Sequence, residues 1–491
     1  MSLYDSSRRS FLKKASVLAG AAIVPGHVLG ALPRRSRRPR HVPPSDQITL
    51  ACIGVGSQGL RVMMDLLQYE ELRVVAVCDV NSGSGDFVEW GDGELRGKVR
   101  QLVGNDSFGP SEGAWAGRDV AKSVVERYYT TQRNLTGYTC PSFVDYREML
   151  ETEEGIDAVV VCTPDHLHAP VSVAAMRWGK HVFCQKPMAH TVGEARMMAA
   201  IAAQTGVATQ VATGVAASES TRLLTEWIAA DVIGPVREVH NWSTRPFWPQ
   251  GIQRPTEAQD APEYLNWDLW LGPAAERPYH AAYQPFVWRG WYDFGTSSIG
   301  DMGCYSFDTI FRALSLRAPS HIEASSTEAF PESYPLGSLI HFRFDARGDM
   351  PPVTIHWYDA RLKPPVPEEL GEAGLPDEGL LFVGDRGKIL CGFSGREPRL
   401  IPEAAMAAFD PPPQTLPRSI GHYEEWIEAC KGGPEPGASF EAARWSTETI
   451  LLGNIAVRSA QRLHWNPETR TTGSADADRL LRREYREGWR L

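Results

Sequence analysis

Ile48-Thr-Leu-Ala-Cys-Ile53 is a run of apolar and β-favouring residues, and it leads directly into Gly54-Val55-Gly56-Ser57-Gln58-Gly59. An apolar-periodic helix is predicted next, over residues 60–69. This stretch decides the first half of the fold, because a buried strand followed by closely spaced glycines and a helix forms a tight strand–turn–helix unit. A second predicted strand, over residues 73–78, ends at Asp79, twenty residues after Gly59.

This spacing is typical of a dinucleotide-binding turn. Glycines let the backbone approach a pyrophosphate at the helix N-terminus, and an acidic residue at the tip of the second strand can accept hydrogen bonds from ribose hydroxyls. Asp79 would also repel a 2′-phosphate, so NAD is expected rather than NADP. The alternative is a glycine-rich turn without a ligand. The predicted cofactor-binding residues here are Gly54, Gly56, Ser57, Gln58, Gly59 and Asp79.

Strand and helix patterns then alternate along the chain, which favours a doubly wound parallel sheet over residues 46–212. Residues 81–140 interrupt the alternation and are interpreted as an insertion that contains a helix over 120–129. The remaining predicted helices cover 146–150, 171–178 and 192–204, and the predicted strands cover 158–162, 181–184 and 207–211.

The N-terminus reads Ser7-Arg8-Arg9-Ser10-Phe11-Leu12-Lys13-Lys14 before a short apolar run. This pattern predicts a twin-arginine export signal over residues 1–31, followed by a basic linker over 32–45. We therefore expect the twin-arginine translocation machinery as a partner and a periplasmic location if the host is Gram-negative. The alternative is an ordinary basic N-terminus.

Composition limits the class of protein. A chain of 491 residues predicts two domains, and the formal net charge of −10 argues against nucleic acid as a partner. No other stretch is long and apolar enough to predict a stable membrane span. The eight cysteines show neither a disulfide framework nor metal-ligand spacing, so no metal site is expected.

Three further motifs carry a family resemblance: Thr163-Pro164-Asp165-His166-Leu167-His168, then Lys186-Pro187, then Asp301-Met302-Gly303-Cys304-Tyr305. With the glycine turn they resemble the Gfo/Idh/MocA oxidoreductases, the family of glucose–fructose oxidoreductase and inositol dehydrogenase, and in particular its twin-arginine-exported branch. The resemblance covers about residues 46–470. It implies an α+β substrate-binding domain over 213–470 with an open, mostly antiparallel sheet, followed by a tail over 471–491.

The chain departs from the family pattern at three places. Gln185 replaces the usual Glu before Lys-Pro, and Tyr305 stands where many relatives have His. The segment 212–216 replaces a polar Gly-Asn-Gln segment of exported relatives, which puts substrate contacts there in doubt.

The resemblance implies catalytic roles for Lys186, Tyr305 and Asp301. Oxidation of a secondary alcohol needs a base, and Tyr305 can serve if a neighbouring ammonium such as Lys186 lowers its pKa. Asp301 would orient the lysine or contact the sugar. The structural alternatives are a surface turn for Lys186, core packing for Tyr305 and a helix cap for Asp301.

Other positions are predicted less specifically. Thr163, Pro164, His168 and Lys186 are expected along the cofactor. His166 either lines the site or bonds within its own loop. Six of the fifteen tryptophans fall within residues 242–291, where Trp248, Arg289 and Trp291 are candidate sugar contacts, with packing as the alternative.

We therefore expect an exported NAD-dependent oxidoreductase, a homo-oligomer, that acts on a secondary alcohol of a sugar, polyol or glycoside. One alternative is a glycoside hydrolase or lyase that uses NAD for transient oxidation. Another is a non-catalytic, NAD-occupied binding protein. The basic C-terminal segment 479–486 is predicted to be a short helix or strap docked on the body or on a partner subunit.

Overall fold

The structure is a computed structural model, and it describes residues 46–89, 91 and 93–491. The predicted export signal over 1–31 and the basic linker over 32–45 lie outside the described residues.

The strands of the described chain, in order, are β1 Ile48–Ile53, β2 Leu72–Cys78, β3 Ser84–Phe87, β4 Ala114–Ala116, β5 Ser142–Phe143, β6 Ala158–Val161, β7 His181–Cys184, β8 Thr209–Val211, β9 Val236–Trp242, β10 His321–Ser326, β11 Ser338–Phe344, β12 Val353–Tyr358, β13 Gly379–Gly384, β14 Lys388–Cys391, β15 Arg399–Ile401 and β16 Leu463–His464.

The helices of the same residues are α1 Ser57–Leu67, α2 Glu94–Val103, α3 Arg118–Thr131, α4 Tyr146–Thr152, α5 Asp165–Arg177, α6 Val192–Thr205, α7 Glu219–Ala229, α8 Trp267–Leu271, α9 Cys304–Leu314, α10 Glu403–Ala407, α11 His422–Cys430, α12 Phe440–Ser459 and α13 Ala475–Arg479. A single π-helical turn, Ile299–Gly303, runs directly into α9.

The first sheet is parallel and has the strand order β5-β2-β1-β6-β7-β8. Strand β1 is apolar throughout its centre, where Leu50 and Ala51 are fully buried. Because β1 lies between β2 and β6, the strand order reverses at this point, and the carboxyl ends of β1 and β6 form a crevice where ligands bind in such folds. The predicted doubly wound parallel sheet is confirmed.

Residues 81–140 lie outside this parallel sheet. They form the antiparallel pair β3–β4 and the helices α2 and α3, whose apolar side chains share a core with β1 and α1. The helix predicted over 120–129 lies within α3. The insertion also places Phe87, at the end of β3, against the glycine turn, since a Cβ on Gly56 would lie 2.8 Å from its ring.

The second sheet has eight strands in the order β15-β14-β13-β9-β12-β11-β10-β16. Strands β9 and β12 are parallel, and the other neighbouring pairs are antiparallel. Along β12, Val353, Ile355 and Trp357 are buried in the core that α9 and α12 complete. The open, mostly antiparallel sheet that the resemblance implied is confirmed.

One predicted boundary was wrong in a way that affects the site. Helix α5 begins at Asp165 and contains Pro170, whereas the sequence predicted a start near residue 171. Pro170 is the sixth residue of α5 and cannot donate to the carbonyl of His166, and Arg483 donates to that carbonyl instead. The segment Asp165–His168, expected as a loop, therefore forms the first turn of α5, and its side chains take helical directions.

No helix within the described ranges 46–89, 91 and 93–491 has both the length and the apolar character needed to cross a membrane.

Candidate functional site: a dinucleotide cleft with a buried lysine

The glycine turn allows close approach between β1, α1 and the end of β6. Gly54 has φ of +80°, and a Cβ there would lie 2.7 Å from backbone atoms of Cys162 and Thr163. A Cβ on Gly59 would overlap the carbonyl oxygen of Gly54. Without side chains, Gly54 and Gly59 let the turn pack closely against α1 and the end of β6, as dinucleotide-binding turns require.

The N-terminus of α1 fits an anionic ligand. Gly56 is the N-cap residue, no side chain caps this end, and the first turn contains no acidic residue. The first N–H groups of α1, including those of Ser57 and Gln58, are therefore available to an anionic group in the cavity that both residues line. The residues present fit the pyrophosphate of a dinucleotide.

Asp79 is fixed beside this turn by its own hydrogen bonds. Its Oδ2 accepts from the N–H of Val55 at 2.7 Å, and its Oδ1 accepts from the N–H of Asn81 at 2.8 Å. Burial raises the pKa of Asp79 to about 6, although these N–H groups favour its charged form. The carboxylate is thus rigidly positioned at the end of β2, where the sequence predicted a ribose contact.

A cavity of about 480 Å³ joins the glycine turn to the second sheet. It brings together residues from both halves of the chain. The predicted site residues that line it are Gly54, Gly56, Ser57, Gln58, Gly59, Asp79, Thr163, Pro164, Lys186, Arg289, Asp301 and Tyr305.

Lys186 and Asp301 form the buried ion pair of this cavity. Lys186 Nζ donates to the carbonyl oxygen of Asp301 at 2.7 Å and to its Oδ1 at 2.9 Å. Arg289 Nε donates to the same Oδ1 at 3.0 Å. Asp301 lies in the π-helical turn Ile299–Gly303, which presents both its carbonyl and its carboxylate to the lysine. Such turns are frequent at functional sites.

This arrangement keeps Lys186 and Asp301 charged. Burial is the largest single effect on Lys186 and would lower its pKa, but Asp301, Tyr305 and Cys304 together outweigh burial and raise the pKa. Burial alone would raise the pKa of Asp301, but Lys186 and Arg289 hold it well below its usual range. Lys186 is therefore an ammonium in the unliganded site.

Tyr305 differs in part from its prediction. The Nζ atom of Lys186 lies 5.0 Å from the centroid of the Tyr305 ring, so the predicted neighbours are in contact. Burial nevertheless raises the pKa of Tyr305, and the Lys186 ammonium lowers it only in part. The phenol is protonated in the unliganded site, whereas the sequence argument expected a lowered pKa.

Asp165 is a site residue that the sequence argument did not select. It lines the cavity at the start of α5, and its Oδ2 accepts a hydrogen bond from Thr296 Oγ1 at 2.6 Å. Burial raises its pKa to about 7, against the effect of that bond and of Arg289 and Lys186. Its place directly after Thr163-Pro164 was the available signal.

The two histidines of the same motif do not line the cavity. His166 Nε2 lies 2.9 Å from the carbonyl oxygen of Trp270, and its ring packs between Trp270 and Phe294. His168 bridges two backbone carbonyls, with Nδ1 2.7 Å from that of Pro187 and Nε2 2.8 Å from that of Thr163. Because α5 begins at Asp165, both side chains turn into the protein.

His168 still positions the site. Burial opposes its charged form, but Cys184 and the carbonyls of Pro187 and Thr163 raise its pKa. With a proton on each nitrogen, the ring can donate to both carbonyls and fix the strand end that carries Lys186 to the start of α5. The prediction of direct cofactor contact is replaced by this positioning role.

In the tryptophan-rich segment 242–291, some of the predicted residues pack inside the protein and others line the cavity. Trp291 is buried and donates from Nε1 to the carbonyl of Ala282, and Trp248 donates to Gln250. Neither lines the cavity, so both were wrongly selected as contacts. Arg289 does line it, with its guanidinium 4.2 Å from the ring of Trp288 and 4.3 Å from that of Phe286.

Other residues that line the cavity belong to distant segments of the chain, and no local sequence pattern predicts that these segments reach the site. The insertion supplies Phe87, and the C-terminal segment supplies Trp489, whose ring packs 6.3 Å from that of Tyr146. Further lining residues outside the predicted set include Arg61, Asp145, Arg245, Leu269, Gln284 and Pro285.

The C-terminal segment is a strap on the same chain. Arg483 Nη2 pairs with Glu194 at 2.7 Å and donates to the carbonyl of His166 at 2.5 Å. Tyr485 Oη donates to the same Glu194 at 2.6 Å. These contacts lead the chain to Trp489 at the cavity wall.

A glycine turn at the switch point of the parallel sheet faces a buried ion pair, in which Lys186 follows β7 of that sheet and Asp301 precedes α9. This arrangement is typical of dinucleotide-binding oxidoreductases. Two family models match: an oxidoreductase family with an NAD-binding Rossmann fold, over residues 116–213, and an oxidoreductase family with a C-terminal alpha/beta domain, over 233–344. Both models describe domains of Gfo/Idh/MocA oxidoreductases, which agrees with the resemblance found in the sequence. The family description confirms the prediction of NAD.

Among curated proteins, the chain is similar to glycosyl hydrolase family 109 proteins. Identity is 28% over 202 residues with one from a Shewanella species, which is 40% of this chain and 36% of that protein. Identity is 25% over 183 residues with one from Stenotrophomonas maltophilia, which is 37% of this chain and 30% of that protein. The matched region spans about a third of the length of these relatives.

Solved structures show the same fold. The WlbA dehydrogenase from Bordetella pertussis, solved with NADH and UDP-GlcNAcA, has a TM-score of 0.54 at 15% identity and covers 86% of this chain and 99% of its own. An NAD-binding protein from Listeria innocua has a TM-score of 0.52 at 15% identity and covers 85% of this chain and 97% of its own. The likeness extends over both domains.

Proposed function

We propose that this protein is an NAD-dependent oxidoreductase that acts on a secondary alcohol of a sugar, polyol or glycoside. The observation that carries the proposal is the buried contact of Lys186 Nζ with Asp301, 2.9 Å from its Oδ1, in the cavity that begins at the glycine turn. A buried, charged lysine is costly unless its charge has a use or a partner, and here it faces an open cavity.

Each residue of the wall has a distinct role in this proposal. The glycine turn and Asp79 would hold NAD, which would supply the acceptor for the hydride of the carbinol carbon. The Lys186 ammonium donates a hydrogen bond to the reacting oxygen and stabilises the negative charge that develops on it. Asp301 holds the lysine in place through two contacts and balances its charge.

The hydroxyl proton needs an acceptor on the same wall. In its phenolate form Tyr305 accepts this proton from the reacting oxygen, and the adjacent Lys186 ammonium reduces the cost of forming the phenolate. Asp165, whose pKa is about 7, is a second group that can receive a proton near neutral pH. Arg289 and Trp288 supply a cation and a flat face suited to a hydroxylated ring.

A second candidate function is glycoside cleavage through transient oxidation. The observation that favours it is the similarity to glycosyl hydrolase family 109 proteins over 183 and 202 residues. In this scheme the substrate is oxidised, the aglycone is eliminated and the product is reduced again by the same cofactor. Lys186 can take part in both the oxidation and the later reduction, since its ammonium can donate a proton to the oxygen when the carbonyl is reduced.

Incubation with aryl glycosides and a catalytic amount of NAD separates the two candidates. Aglycone release without net NADH supports the cleavage function, and a carbonyl product with net NADH supports the oxidoreductase. Failure of the purified protein to bind any dinucleotide by calorimetry would exclude both.

We further propose export by the twin-arginine route and a homo-oligomeric state. The support for export is the sequence Ser7–Lys14 and the apolar run after it. A reporter fused behind residues 1–45 should be exported, and replacement of Arg8 and Arg9 by lysine should keep it in the cytoplasm. Light scattering of the purified protein tests the oligomer.

A further inference from the structure

Three histidines lie side by side on the face of the second sheet that is turned away from its helices. The pairing register aligns His240 of β9 with His356 of β12, and His356 with His341 of β11. Along β12, His356 lies between Ile355 and Trp357, whose side chains point into the core. None of the three lines the cofactor cavity.

Two of these rings and one carboxylate converge. Glu238 Oε2 lies 3.4 Å from His240 Nε2 and 3.8 Å from His356 Nε2. The three atoms all lie within 4.8 Å of one another, and the two rings stack with centroids 4.7 Å apart. Ligand atoms about 2.05 Å from a tetrahedral Zn²⁺ are roughly 3.3 Å apart, so small ring movements would bring all three to ligand distance.

The outward-facing ring nitrogens are left available because the others are already engaged. His240 Nδ1 lies 3.0 Å from Tyr358 Oη, and His356 Nδ1 lies 2.5 Å from His341 Nδ1. A proton on each Nδ1 satisfies both contacts and leaves the Nε2 lone pairs directed toward Glu238. Metal-binding histidines are typically oriented in this way by a partner of the second nitrogen.

The types of side chain in the cluster also suit a metal. Glu238 has a side chain that is 52% exposed and gives an ion access from solvent. Neutral imidazoles and a carboxylate are the ligands that Zn²⁺ accepts.

We propose that Glu238, His240 and His356 bind one divalent transition-metal ion, with Zn²⁺ as the preferred metal. Three protein ligands leave a fourth tetrahedral position for water or an outside group. Because the ligands join β9 to β12, the parallel pair at the centre of the sheet, the ion would brace this pair and raise the thermal stability of the protein.

The test uses the tag-free, full-length protein and ZnCl₂ as the probe. Calorimetry should show one Zn²⁺ bound per chain, and Co²⁺ in its place should give the visible absorption of a tetrahedral site. Glu238→Gln and His356→Gln should each weaken Zn²⁺ binding by about tenfold or more, and Tyr358→Phe by about tenfold. Zn²⁺ should raise the melting temperature of the wild type much more than that of Glu238→Gln or His356→Gln.

Two controls keep the test decisive. His321→Gln changes a histidine on β10 of the same sheet that lies outside the cluster, and it should bind Zn²⁺ as the wild type does. Circular dichroism and NAD binding, which should be unchanged, separate loss of the metal site from misfolding or failure of the cofactor site. The proposal is overturned if the wild type binds no Zn²⁺, or if the folded Glu238→Gln and His356→Gln variants bind it with unchanged affinity.

Discussion

Lys186 Nζ donates hydrogen bonds to both the backbone carbonyl and the carboxylate of Asp301, 115 residues away in the chain. The lysine follows β7 of the parallel sheet, and the aspartate lies in the π-helical turn before α9 of the second domain. The contact therefore joins the cofactor half of the cavity to the substrate half. It also fixes the charge of the lysine, from which the first prediction follows.

Asp301→Asn should shift the pH dependence of activity. Without the carboxylate, burial and Arg289 would lower the pKa of Lys186, which Asp301 now raises. The ammonium would be lost at a lower pH, so the basic limb of the profile should move to lower pH and turnover at neutral pH should fall by about 10²-fold or more. Steady-state rates across pH measure this. An unchanged basic limb would mean that Asp301 does not control the lysine.

Tyr305→Phe removes the hydroxyl and keeps the ring that contacts Lys186. If Tyr305 exchanges the substrate proton, turnover should fall by about 10²–10⁴-fold while NAD affinity stays constant. Tyr305→His should recover part of the activity, since imidazole transfers protons near neutral pH. A silent Tyr305→Phe variant would make Tyr305 a packing residue.

Asp165→Asn should change how stability depends on pH. The pKa of Asp165 is about 7 in the folded protein, whereas in the unfolded chain the carboxyl releases its proton near the ordinary aspartate pKa of 3.8. The free energy of unfolding of the wild type therefore falls as pH rises between these two values, because ionising Asp165 is harder in the folded protein. The variant has no carboxyl group there and lacks this loss. The melting temperature of the variant minus that of the wild type should increase from roughly pH 4.5 to roughly pH 8.

The exposed Asp349→Asn serves as the matched control for this effect and should show a flat difference. If the Asp165→Asn difference is equally flat, Asp165 does not keep a raised pKa in the folded protein.

Trp489→Ala should weaken cofactor binding through the C-terminal strap. The ring of Trp489 lines the cavity beside Tyr146, and the guanidinium of Arg147 lies 4.6 Å from it. Removal opens this wall, so the NAD dissociation constant should rise by about tenfold, with most of the change in the dissociation rate. Stopped-flow displacement measures it. Trp178→Ala, at a 54% exposed position, is the control, and equal effects of the two variants would refute a local role.

The sequence predicted those elements whose causes are local. Strands β1 and β7 have the predicted bounds, because each is a short apolar run next to a turn. The glycine turn and Asp79 were found because their spacing follows from the size of the ligand. The family resemblance supplied Lys186, Asp301 and Tyr305, which no local pattern would have joined.

The remaining site residues depend on long-range packing. His166 and His168 were misplaced because the start of α5 at Asp165 turns both rings inward, and Pro170 obscured that start. Trp248, Trp288 and Trp291 lie in the same tryptophan-rich segment, and no local pattern distinguishes them. Only the packing of that segment shows that Trp288 lines the cavity and the other two do not. Trp489 reaches the site by docking of the strap, which pairs Arg483 with Glu194 across 289 residues.

The most direct test of an NAD-dependent alcohol site at Lys186 is single-turnover reduction of the bound cofactor. Protein saturated with NAD is mixed with a panel of sugars, sugar acids, polyols and aryl glycosides, and NADH fluorescence is followed. We predict a transient or lasting NADH signal with at least one panel member in the wild type and its loss in Lys186→Ala, with NAD affinity unchanged and Lys98→Ala as the exposed control. The account would be contradicted if Lys186→Ala gave an NADH signal equal to that of the wild type, or if no member of the panel reduced the NAD bound to the wild-type protein.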